Sequence, residues 1–391
     1  MSGRHGDASP LALLWLGGAC RKAIFADQLV RTTYFGLTTT HLLLGAALAG
    51  VAIADGTLAL LLLVAACFHV HIFLMNDVID LPVDATAPRR ANHPLVRGLR
   101  GEGGVSKRSA LAAAWLAAAL ELPLGVALGA SPGAWLALGA AFLLIGIYNL
   151  YGKRCPVPPV TDVIQGLGWW GLVLFGALAI APGISLAELA DRGLPLLAFS
   201  MGFTVLITGI HGGLRDLVND AAHGRTNTAI FLGGAPAEPG AGSTDTSVRS
   251  SPAVAAFAYA VLSLMFWPSV AFLREPGHFS SDAVRELTSV ALALVFAANC
   301  ALLWRVVKPL EPRRDAWVSA QAVTLLAPPL VLYLPSALLS PRLTCIVAGL
   351  FVVPLLLQAR FMQSLAARLE RERAPARAQR AAVGGRIDAT R

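Results

Sequence analysis

Ten apolar runs, each about the length that crosses a bilayer as a helix, fix the class of this chain before any single residue is considered. They fall at Tyr34–Ala54, Leu58–Met75, Ala110–Gly129, Ala134–Tyr151, Val163–Pro182, Leu194–His211, Ala253–Leu273, Leu287–Val306, Trp317–Ser336 and Leu343–Met362. Over 391 residues, 56% are hydrophobic and only 14% charged, which is too apolar for a soluble protein. The expected fold is all-α: a polytopic membrane bundle of nine to ten transmembrane helices around a central cavity.

The net charge of +8 is not a nucleic-acid signal, because the basic residues sit in short loops and in the tail. The connection after the second run holds Arg89, Arg90, Arg97, Arg100, Lys107 and Arg108. Lys153 and Arg154 follow the fourth run, Arg215, Arg225 and Arg249 the sixth, and Lys308, Arg313 and Arg314 the eighth. The alternate connections are almost free of Lys and Arg. By the positive-inside rule this pattern predicts an even number of spans with both termini in the cytoplasm; the expected location is the cell (inner) membrane. Residues 1–33 read as a cytoplasmic segment, with Leu11–Cys20 as an interfacial helix rather than a cleaved signal. Residues 34–362 form the membrane domain. Within it, 233–252 is Gly-, Ser- and Pro-rich and reads as a flexible cytoplasmic loop. Residues 363–391 read as a disordered basic tail that meets anionic membrane lipids. The five cysteines are scattered, with no metal-ligand or disulfide spacing.

Two acidic clusters break the apolar pattern. The second run ends in MNDVIDLPVD, which delivers Asn76, Asp77, Asp80 and Asp84 in nine residues. Steps of three and four place the three carboxylates on one helix face, although Pro82 is expected to end or kink the helix before Asp84. The sixth run ends in HGGLRDLVND, with Asp216 and Asp220 four apart and Arg215 just before them. Charge at membrane depth is costly unless it faces a cavity, a partner or an ion. Two acidic helix ends at matched positions therefore point to one shared cavity rather than to solvated loops. Carboxylates ringed by Arg and Lys suit a metal-bridged phosphate: the acids hold Mg²⁺, the metal binds diphosphate oxygens, and the bases contact the rest. A greasy cavity behind such a site accepts an isoprenoid tail. The implied chemistry is departure of diphosphate from an allylic carbon.

The segment NDVIDLPVDATAPRRANHPLVRG resembles the first aspartate-rich motif, NDxxDxxxD, of the UbiA superfamily of intramembrane prenyltransferases. RDLVNDAAHGRTNTAIFLG is similar to the second motif, DxxxD, and YNLYGKRCPVPPVTDVIQGLG to the Tyr…Lys-Arg segment between them. The likeness covers about residues 28–235; the last third matches only as further apolar spans. The resemblance implies a UbiA-like fold and Mg²⁺-dependent transfer of an isoprenyl group from a polyprenyl diphosphate to a small hydrophobic or aromatic acceptor. It implies metal binding by Asp77, Asp80, Asp84, Asp216 and Asp220, and diphosphate contact by Asn76, Arg89, Arg90, Lys153, Arg154 and Arg215. Tyr148 stands near the family's reacting centre, and Arg31 matches a family Arg at the start of the first span. Arg31 and His211 are the candidates on the acceptor side. Pro82 inside the first motif, Arg97 before Gly98, and ten apparent spans instead of nine depart from the family pattern. A membrane terpene cyclase of the same superfamily, or a lipid-diphosphate binding protein, would use the same clusters.

The remaining polar residues are weaker signals. His69 and His71 point to different faces of one helix, so at most one is expected to line the cavity, and a satisfied core or cavity-wall role is favoured. Thr38, Thr39, Thr40 and His41 suit helix–helix hydrogen bonding. His93 and His223 carry no assigned role, and Trp169 and Trp170 suit the wall of an isoprenoid pocket.

Overall fold

The computed structural model describes residues 31, 34–86, 90–91, 93–102, 104–152, 154–237, 248–275, 277–311 and 313–350. The interfacial segment expected before residue 31, Arg89, Lys153, the centre of the 233–252 loop and the basic tail lie outside the described residues.

The chain is a succession of helices: α1 (Phe35–Leu48), α2 (Asp55–Asp84), the short α3 (Pro94–Leu99), α4 (Lys107–Ala127), α5 (Pro132–Tyr151) and α6 (Pro158–Ile180). Then α7 (Leu186–Thr204) passes through a π-helical stretch, Val205–Gly212, into α8 (Gly213–Ala222). A one-turn α9 (Thr228–Phe231) and a ribbon of β1 (Ala235–Pro236) with β2 (Val248–Arg249) follow. The chain continues as α10 (Pro252–Arg274), α11 (Asp282–Val307), α12 (Arg314–Leu325), α13 (Ala327–Tyr333) and α14 (Pro341–Leu350). Serines fix many of the starts. Ser106, Ser131, Ser185, Ser251 and Ser281 each accept a hydrogen bond from the third backbone N–H of the helix they precede.

Among the described residues, eight stretches are long and apolar enough to cross a membrane. The runs at each end differ from the sequence expectation. The first helix stops at Leu48, because Gly50 at φ 67° turns the chain. Its 14 residues reach only about 21 Å, short of the roughly 30 Å hydrocarbon layer. The ninth run is two helices, parted at Leu326 just before Pro328 and Pro329. The last run is described only to Leu350. The expectation that Pro82 stops the second helix is also corrected. Helix α2 runs unbroken through Pro82 to Asp84, and the next bond in the ladder, Ala85 N–H to Leu81 O, is intact at 2.9 Å. A proline costs one backbone bond, and here the turns on either side carry the helix across it.

Helix α6 is the hub, packed against α1, α5, α7 and the π-helical stretch. Small residues make this possible. A Cβ on Gly45 of α1 would strike the backbone of Val173, and one on Gly176 of α6 would strike the carbonyl of Leu42, so the two helices cross at backbone contact. The connections sort to two ends of the bundle. At one end Asp80 pairs with Arg225 at 3.5 Å, and Arg314 donates to the carbonyls of Val248 and Lys308. At the other, Arg192 donates to the carbonyl of Leu48, Tyr333 to that of Arg192, and His278 lies 3.4 Å from Asp191.

Candidate active site

The cavity lies where the α2 and α8 ends meet. Asp80 and Asp84 line it from α2, with Asn76 one turn deeper, and Asp216 and Asp220 line it from α8. It encloses about 430 Å³ and opens from this polar rim onto an apolar wall of Ile72, Phe73, Ile145, Trp169, Phe203 and Ile207. The two acidic ends are tied directly. Asp80 pairs with Arg225, and Thr86 just past the first motif hydrogen-bonds His223 just past the second, at 3.2 Å.

Each carboxylate has a counter-group. Asp84 is 3.4 Å from Arg90, and Asp216 is 3.3 Å from Arg215. Asp220 accepts from Asn227 at 2.9 Å. Asp77 is set apart from the others. It is buried and does not line the cavity; it receives Arg31 at 2.5 Å, and its other oxygen lies 3.5 Å from His93. Arg31 also donates to Asn76 at 3.1 Å, and Asn76 in turn donates to Asn149 at 3.1 Å. Burial acts against the Arg31 charge, and Asp77 more than offsets it, so the guanidinium's pKa sits above its ordinary value. Arg31 thus stands at the acidic end of the cavity.

Arg90, Arg215, Tyr148 and His211 also line the cavity. Tyr148 and Thr208 of the π-helical stretch both line the cavity, and Thr208 donates to Gln165 at 3.2 Å. Arg154 is exposed and away from the cavity. Arg97 caps the turn after α3 by donating to the Glu102 carbonyl at 2.8 Å. His69 and His71 bond to Thr38 and to the Ala114 carbonyl, and neither lines the cavity. The four-residue patch from Thr38 to His41 is buried in helix packing. Trp169 lines the cavity, and Trp170 does not.

Sequence reasoning passed over Asn149, Asp162, Gln165, Arg225 and Asn227, all of which line the cavity or pair with its acids. All five stand inside the segments that carry the motif resemblance, so proximity to those motifs was the available signal. Asp162 accepts from Thr228 and is pressed against Gly209, where any Cβ would collide with its carboxylate. A π-helical widening is a common mark of a functional site, and here it brings Thr208, Gly209, His211 and Gly212 to the cavity.

The donor set fits a hard cation. It is all oxygen, and among the described residues no three carboxylate, His or Cys side chains close around one point. Mg²⁺ is commonly held by one or two carboxylates, with phosphate and water completing its shell. Two separated pairs of acids are what such a shared shell requires.

No curated protein matches the chain in sequence. Three solved structures share its fold. The apo structure of a UbiA homologue from Aeropyrum pernix K1 is 20% identical, with TM-score 0.57, covering 78% of this chain and 96% of that one. A structure of digeranylgeranylglyceryl phosphate synthase is 16% identical, with TM-score 0.53, covering 81% and 99%. A UbiA homologue from Archaeoglobus fulgidus bound to GPP and Mg²⁺ is 15% identical, with TM-score 0.54, covering 78% and 97%. The model of the UbiA prenyltransferase family matches residues 40–319, which take in both acidic motifs, and the chain belongs to that family.

Proposed function

We propose that the protein transfers an isoprenyl group from a polyprenyl diphosphate to a small hydrophobic or aromatic acceptor within the membrane, with Mg²⁺ as cofactor. One observation carries this reading. Two acidic helix ends, from α2 and α8, converge on a single cavity whose rim also presents Arg31, Arg90 and Arg215 and whose wall is apolar. Isolated carboxylates would suit a cation alone. Carboxylates interleaved with guanidiniums suit a metal-bridged diphosphate.

Asp80 and Asp84 on one side, and Asp216 and Asp220 on the other, are the residues that would hold Mg²⁺. Asp77 acts behind them by fixing Arg31. When bound, Mg²⁺ neutralises charge on the leaving diphosphate and so eases its departure. Arg31, Arg90 and Arg215 bind the diphosphate oxygens and hold the allylic carbon toward the apolar wall. The allylic C–O bond breaks, and its electron pair leaves with the diphosphate. The acceptor then bonds to the allylic carbon and gives up a proton. Tyr148 faces this reacting centre, and Ile145, Trp169 and Phe203 keep water from it.

The test is diphosphate release by the protein in detergent, with geranyl, farnesyl or geranylgeranyl diphosphate and a panel of aromatic acceptors. Asp80→Ala and Asp216→Ala are each expected to lower release on the order of a hundredfold or more, as loss of a charge-stabilising group in a closed site does. EDTA is expected to abolish release and added Mg²⁺ to restore it. Full activity in either variant would sink the proposal. Release without an acceptor, giving a cyclised product, would reassign the protein as a cyclase.

A further inference from the structure

His211 lines the cavity, is only 2% exposed, and has a ring nitrogen, Nδ1, with no hydrogen-bond partner among the described residues. Its tautomer follows from a relay that begins in the last third of the chain. The Gln321 side chain of α12 donates through Nε2 to the carbonyl of Asn299 in α11, at 3.1 Å. Its Oε1 is therefore the atom that faces His211, at 2.9 Å from the ring's Nε2. An amide oxygen cannot donate, so His211 Nε2 carries the proton and Nδ1 is left as a bare acceptor. The relay is anchored in turn. Asn299 donates to the carbonyls of Val295 and Thr324 and accepts from the Thr324 hydroxyl. Gln321 and Asn299 are both wholly buried. A polar network buried this deeply is costly unless every member is satisfied, and the Nδ1 atom is the one place where it is not.

We propose that His211 Nδ1 is the docking atom for the acceptor. It accepts a hydrogen bond from an O–H on that co-substrate, which places the acceptor in the class of phenols or alcohols. Gln321 and Asn299 are positioning residues that hold the ring in the accepting tautomer. This rests on the transferase reading above. The neighbouring wall from α12, Val318 and Ala322, is apolar and offers no competing donor. Arg31, Arg90 and Arg215 belong to the acidic rim, so the donor and acceptor ends of the cavity are read by different chemistry.

Two readouts test the inference. In the first, diphosphate release is measured with a phenolic acceptor and with its O-methyl ether. His211→Phe is expected to raise the KM for the phenol roughly tenfold or more, the loss of one hydrogen bond in a buried site, and to leave the KM for the prenyl diphosphate unchanged. The ether is expected to be used equally poorly by wild type and variant. Gln321→Leu is expected to shift the phenol KM in the same direction, and Gln321→Glu, which keeps an oxygen for the Nε2 proton, to recover much of it. In the second, ¹⁵N spectra of histidine-labelled protein, with His211 identified by its loss in His211→Phe, are expected to show a protonated Nε2 and a bare Nδ1. An Nδ1–H tautomer in the wild type, or an unchanged phenol KM in His211→Phe, would overturn the inference. Absence of turnover with every donor and acceptor would instead overturn the transferase reading, while the spectra still decide the tautomer.

Discussion

Arg31 is the residue on which the acidic end turns. It is one of two described non-glycine residues with positive φ, at 49°, a conformation that costs an ordinary side chain roughly 1–2 kcal/mol. That backbone lets the guanidinium reach Asn76 and Asp77 at once, with Phe73 beneath it at 5.2 Å. Strain held at one position by several partners is a common sign of a working site. Arg31→Ala is therefore expected to raise the KM for prenyl diphosphate roughly 10- to 100-fold, the scale of one or two charge-assisted hydrogen bonds. Arg31→Lys is expected to recover little, because an ammonium cannot reproduce the planar fork. Steady-state diphosphate release decides both, and a lysine variant with wild-type KM would show that charge alone suffices. At this scale the sequence was legible where type and spacing carry the information. The four lining aspartates stood out by their spacing, and Asn76, Tyr148 and Arg215 by the likeness of their segments to the family's motifs. The sequence could not say that Asp77 faces Arg31 and His93 instead of the cavity, or that Arg154 faces solvent, because helix rotation is set by packing partners distant in the chain.

The helices show the same division. Apolar runs located the long spans, because lipid imposes length and composition on each segment independently. What they could not reveal is where a span is interrupted. Pro82 is tolerated within α2, whereas Pro328 and Pro329 accompany a break between α12 and α13. The π-helical stretch that carries His211 reads in sequence as more of the same apolar helix. Glycines illustrate how packing decides what composition leaves open. Gly176 meets the Leu42 carbonyl, while Gly146 of α5 has nothing within 4 Å of an added Cβ. The same substitution is expected to have opposite signs. Gly176→Ala should force α1 from α6 and destabilise by about 1–3 kcal/mol. Gly146→Ala should stabilise by up to about 1 kcal/mol through helix propensity. Thermal unfolding in detergent reads both, and a harmless Gly176→Ala would contradict the backbone contact between α1 and α6.

For the molecule as a whole, the alternation of basic and non-basic connections and the sorting of those connections in the fold are independent observations that agree. The Lys- and Arg-rich connections meet at the cavity end, where Asp80 pairs with Arg225 and Arg314 reaches Val248 and Lys308. The poorer connections meet at the other end, around Arg192, Asp191 and His278. Packing alone would produce the two ends without fixing which faces the cytoplasm; the charge bias supplies that direction, since retention of Lys and Arg on the cytoplasmic side orients helical membrane proteins. The cavity is accordingly expected to open to the cytoplasm, where its water-soluble leaving group, diphosphate, would be released. The expectation can be checked with single cysteines in a cysteine-free background, using a maleimide that does not cross membranes. Glu102→Cys, exposed near the cavity end, should label only after the membrane is broken. Gly183→Cys, exposed in the turn between α6 and α7, should label in intact cells. The reverse pattern would place the site on the outer face and overturn the orientation read from the charge bias.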